Sequence, residues 1–161
     1  MCIRDRHPER LATLQRQFLI EAVKHQVLPL DDRRIERFNA ELAGRPVLAK
    51  GPSQLLFGGM GRLSENSVLN LKNKSYSVTA DIEVPDGGAT GVIVAQGGAF
   101  GGWSLYLDEG VPTHCYNLLG LARVKATGTE ALTPGNHQVR VEFTYDGGGL
   151  GKGGDLSLIH I

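Results

Sequence analysis

The alternation of apolar and polar positions is clearest at residues 75–84. Tyr76, Val78, Ala80, Ile82 and Val84 fall on one side, and Ser77, Thr79, Asp81 and Glu83 on the other. A period of two predicts a strand with one buried face. The same period returns at residues 137–145, where Val139, Val141, Phe143 and Tyr145 face one way. Between them lies the stretch around which the chain is organised, residues 91–107. Val92, Ile93 and Val94 form a short apolar run, and Trp103, Leu105 and Leu107 alternate with Ser104 and Tyr106. Gly97, Gly98, Gly101 and Gly102 separate the two strands. Their lack of a Cβ predicts a tight or bulged crossing with little room for side chains. Phe100 and Trp103 then supply the bulk, and both are expected in the core.

Further short strands are expected at residues 54–57, 67–71, 113–118 and 121–126. Asp108-Glu109-Gly110 forms a hairpin turn, and Pro85–Gly88 and Thr133–Asn136 form two others. Strands at this spacing predict a mainly β chain, a two-sheet antiparallel sandwich. Residues 146–154, Asp-Gly-Gly-Gly-Leu-Gly-Lys-Gly-Gly, read as a long hairpin loop whose second strand is missing. The strand before it would then expose an unpaired edge.

The N-terminal part has a different period. Leu11, Leu14, Phe18 and Ala22 follow a helical stripe within residues 7–26, and Pro8 suits a first-turn position. So short a helix needs a partner to cover that stripe. Residues 27–52 read as a linker, rich in Pro and Gly, and residues 53–155 as the sandwich.

The two ends are related to each other. Met-Cys-Ile-Arg-Asp-Arg opens the chain and Leu-Ser-Leu-Ile-His-Ile closes it. Reverse translation makes the second the complement of the first, and that DNA word resembles the end of a transposon used to prepare sequencing libraries. Residues 1–6 and 156–161 are therefore expected to be read-through, set aside from fold reasoning.

Composition narrows the function. Seventeen basic and 17 acidic residues cancel, which leaves no electrostatic footprint for nucleic acid. No apolar run approaches the ~20 residues of a membrane-spanning helix. With Cys2 in the read-through, Cys115 stands alone as an expected buried thiol.

Few residues suggest chemistry. The glycines around Lys152 lack the spacing and the following Ser or Thr of a phosphate loop. Asp31 and Asp32 either bind a hard cation or cap a turn and pair with Arg33 or Arg34. His25, His114 and His137 show no metal or triad spacing. Arg62, Glu65 and Asn66 share a loop that is either a solvated turn or, with Asp31 and Arg33, a contact to another domain. Tyr106, Tyr116, Trp103 and Phe100 either pack in the core, as expected of Trp103 and Phe100, or offer a ring platform to a sugar; Tyr106 falls on the opposite strand face from Trp103 and is expected to be exposed.

Five segments carry a family resemblance: Val27-Leu-Pro-Leu-Asp-Asp-Arg33, Lys72-Asn-Lys-Ser-Tyr-Ser-Val-Thr-Ala80, residues 91–106, Tyr116-Asn117 and Phe143-Thr-Tyr-Asp-Gly-Gly-Gly149. In this order they resemble the C-terminal region of bacterial arylsulfatases, of the alkaline-phosphatase-like superfamily. The resemblance implies a parent enzyme that hydrolyses aryl sulfate esters in the bacterial cytoplasm or periplasm. It also implies a separate catalytic domain as partner, in which a Cys or Ser of a Cys/Ser-x-Pro-x-Arg motif becomes formylglycine beside a calcium ion. No such motif occurs here, and Cys115 is followed by Tyr116 and Asn117. No catalytic, cofactor or metal residue of the family is therefore carried onto this chain, which is expected to be inactive alone and to pack against the catalytic domain. The alternatives are a lectin-like carbohydrate-binding sandwich and a structural interaction module.

Overall fold

The computed structural model describes residues 6–30, 43–149 and 152–161. The chain divides into two compact units, Met1–Leu69 and Asn70–Ile161.

In the first unit, helix α1 spans Pro8–Lys24, with Pro8 in its first turn. There the missing N–H of proline costs nothing. His25 Nε2 lies 3.3 Å from Glu21 Oε2, one turn back on the exposed surface. The expected burial of the apolar stripe is not what the structure shows. Ala22 is the one buried helical residue, while Leu14 and Phe18 are exposed. The expected strands at residues 54–57 and 67–71 are absent as well. A single 3-10 turn, Glu65–Ser67, is the only regular element there. The physical reason is local. The Gln54 side chain donates to Ser67 O (2.9 Å) and accepts from Leu69 N (3.0 Å), so a side chain takes backbone partners that a ladder would have used.

The second unit has the expected architecture, two antiparallel sheets. Its strands are β1 (Tyr76–Val84), β2 (Gly91–Gly98), β3 (Gly101–Asp108), β4 (Val111–Leu118), β5 (Ala122–Thr127), β6 (Gly135–Tyr145) and β7 (Gly154–His160). One sheet has the order β1-β6-β7 and the other β2-β3-β4-β5. Val139 and Val141 of β6, Val84 of β1, Leu105 and Leu107 of β3, and Leu132 form the buried core. Alternation puts these residues inward, and apolar burial stabilises the sandwich by roughly 1.5–3 kcal/mol per fully buried side chain.

The last strand corrects the expectation of a missing partner. β7 pairs antiparallel with β6, Leu158 opposite Val141 and Leu156 opposite Phe143. Leu156 and Leu158 alternate with Ser157 and Ile159, so this segment has the pattern that the β6 edge requires.

The β2–β3 crossing matches its glycines. Gly97 and Gly102 lie opposite each other, both with positive φ. A Cβ on Gly97 would run into the Gly101 carbonyl oxygen, and one on Gly102 into that of Gln96. Glu109 (φ 50°) and Gly110 (φ 85°) form the two-residue turn that joins β3 to β4.

Candidate functional site

The register across that turn decides which candidate residues can act together. Asp108 pairs with Val111, so Trp103 lies opposite Tyr116, Leu105 opposite His114 and Tyr106 opposite Thr113. Partnered residues share a face. Trp103, Leu105, His114 and Tyr116 thus point toward the three-stranded sheet, and Tyr106, Thr113 and Cys115 point away. The structure does not bring Tyr106 and Tyr116 together: they lie on opposite faces. The two-residue turn already carried this information, because it makes the residue numbers of each pair sum to an odd value.

Phe100 also departs from expectation. It sits at the tip of the β2–β3 hairpin and is 88% exposed, because two glycines on its C-terminal side leave it no strand position facing the core. Trp103 is half-buried at the rim of the core, as expected, and its indole N–H donates to Gln96 Oε1 (3.2 Å). Tyr106 is half-buried, Tyr116 is 44% exposed, and Cys115 is a half-buried free thiol.

An aromatic cluster forms on the inward face. Tyr76 packs against Trp103 (ring centroids 6.0 Å apart) and Phe143 (5.5 Å), and Trp103 stacks on the His114 imidazole at 5.8 Å. His114 is 2% exposed, and its Nε2 has no hydrogen-bond partner among the described residues. Burial lowers its pKa, so the neutral ring is favoured. Burial, and then the neighbouring Tyr116 hydroxyl, raise the pKa of Tyr76. Nothing in the sequence around His114 announced a buried imidazole. Its place opposite Leu105 would have done so, given the register.

Asn117 was legible only as part of a motif. It ties two hairpin tips together: its amide donates to Gly98 O (3.2 Å) and Ala99 O (3.1 Å), and its carbonyl accepts from Gly120 N (3.0 Å).

The loop candidates hold their own unit in shape. Arg45 donates to Glu65 Oε2 at 2.9 Å, and Asn66 O accepts from Leu48 N (2.8 Å) while its side chain accepts from Ser64 Oγ (2.6 Å). Arg62 is exposed. Asp31 and Arg33 lie outside the described residues.

The residues present do not fit the groups that the arylsulfatase resemblance implies. The chain has no Cys/Ser-x-Pro-x-Arg sequence to carry formylglycine, and the described residues contain no group of three His, Cys, Asp or Glu side chains able to hold a metal ion. No helix among the described residues is long and apolar enough to cross a membrane.

No family model, curated protein or solved structure matches the chain.

Proposed function

We propose that the chain is the C-terminal part of an arylsulfatase, a sulfuric ester hydrolase, and that it supports a catalytic domain instead of carrying the chemistry. The reading rests on the order of the five segments that resemble that family. Two of them, residues 91–106 and Tyr116-Asn117, also occupy adjoining strands and meet where Asn117 reaches the glycine crossing. On this reading, formylglycine and calcium belong to the catalytic domain. The test is the coding DNA upstream of His7. A Cys/Ser-x-Pro-x-Arg motif in the same frame is expected. A start codon close upstream with no such motif would overturn the reading, as would turnover of a chromogenic aryl sulfate by this chain alone.

A lectin-like module is the second reading. With Tyr106 on the other face, it rests on the exposed rings of Tyr116 and Phe100. Binding on an array of sulfated and neutral glycans, lost in Tyr116→Ala, would favour it.

A further inference from the structure

A sheet of three strands faces a sheet of four. β7 reaches β4 and β5, but the core residues of that sheet lie away from the hairpin tip. The tip end of the β4–β5 hairpin is left uncovered. Tyr116 and Val124 are partners on the inward face, yet Val124 is 64% exposed and Tyr116 44%. Leu118 follows Tyr116 on that face and is also exposed. At the hairpin tip Leu119 and Leu121 project into solvent, Leu121 at 85% exposure. Phe100 lies beside them, since the backbone at Gly101 approaches that of Leu119 and Asn117 clamps the two tips together.

These six side chains expose on the order of 700 Å² of largely apolar surface, beyond the few hundred Å² usual for a monomer and close to the ~800 Å² that each partner buries in a stable complex. Charge selects the occupant. Residues 87–107 contain no charged side chain, and Arg123 and Lys125 are the only ones between residues 110 and 129. Both cations pair with the outward residues Asn117 and Cys115, so they point away from the apolar face. An anionic membrane or a nucleic acid would need cations on the same side as the apolar contacts. An apolar face toward which its own two hairpins turn no charge meets its own copy without like-charge repulsion from them, and a two-fold axis makes one patch complementary to itself.

We infer that the face formed by Phe100, Tyr116, Leu118, Leu119, Leu121 and Val124 is a self-association surface, on which a second copy of this chain packs in an isologous dimer. This inference stands apart from the proposed function, because it uses only the packing and charge of the described residues. Sedimentation velocity of the full chain under reducing conditions, across micromolar concentrations, tests it. A reversible monomer–dimer equilibrium is expected. Phe100→Asp and Leu121→Lys should each weaken it ~10-fold or more, while Val92→Lys, exposed on the outward face, leaves it unchanged. Circular dichroism melts confirm that each variant is folded. A chain that stays monomeric throughout overturns the inference, including one that instead co-sediments with phosphatidylserine vesicles. So does a dimer that both patch variants leave intact or that Val92→Lys disrupts.

Discussion

Leu105 and Val124 lie on the same face of the same sheet, yet Leu105 is fully buried and Val124 is 64% exposed. Alternation aimed both inward. What separates them is what stands opposite. Leu105 shares its core with Val139 and Val141 of β6. Val124 sits on an edge strand toward a hairpin tip and is not among the residues packed against that core. Alternation therefore selects a face, and what the opposing layer places against each position decides whether it is covered. The covered half supplies stability, and the uncovered half is available for association.

The comparison breaks most sharply at its covered end. Leu105→Ala is expected to cost ~2–5 kcal/mol, because it opens a cavity among Val84, Val139 and Val141. Urea unfolding with an unchanged m-value measures this. A loss below ~1 kcal/mol would mean that this half is as loosely packed as the other.

The glycine crossing comes next. Gly102→Ala needs a positive φ of 133° and sets its Cβ against the Gln96 carbonyl. We expect ~1–3 kcal/mol of destabilisation, with the damage confined to the β2–β3 hairpin in amide exchange. Gly98→Ala, at a site with nothing within 4 Å of the new Cβ, should cost far less.

A smaller effect is tuned by pH. His114 is buried and neutral in the fold, with its pKa below the ordinary value of 6.5. Below pH 6.5 the unfolded chain binds a proton that the folded chain refuses, so stability falls as the pH falls through 6.5 toward the folded pKa. Melting temperatures should show that slope in the native chain and a flatter one in His114→Gln. Equal slopes would remove His114 from the account.

Much of this architecture was legible from period alone. Residues 75–84 and 137–145 alternate without interruption, and both became strands, paired with each other from Tyr76–Phe143 to Val84–Gly135. What failed depended on partners that lie far away in sequence. The stripe of α1 gave a face but not a cover, and Leu14 and Phe18 remain exposed. Phe100 looked like core because it is large, but its place at a hairpin tip outweighed its hydrophobicity. Tyr106 and Tyr116 were candidates for one platform, although the turn between them fixes their opposite faces. Leu156 and Leu158 went uncounted because the closing residues matched a DNA word, while their alternation matched β6. Of the candidate site, the aromatic residue types were readable, and the buried imidazole at their centre was not.

The smallest expected effect on stability lies at the uncovered end. Leu121 is 85% exposed, so Leu121→Ser removes almost no buried area, and unfolding should shift by no more than ~0.5 kcal/mol. Asn117→Ala, by contrast, deletes the clamp between the tips and should cost ~0.5–1.5 kcal/mol while speeding amide exchange at Gly120. A Leu121→Ser variant that unfolds as easily as Leu105→Ala would show that the tip is already covered in solution. Measured at dilutions where the chain is monomeric, the same pair separates a layer that covers its own core from a surface covered only by a second copy, since dilution removes the second contribution and leaves the first.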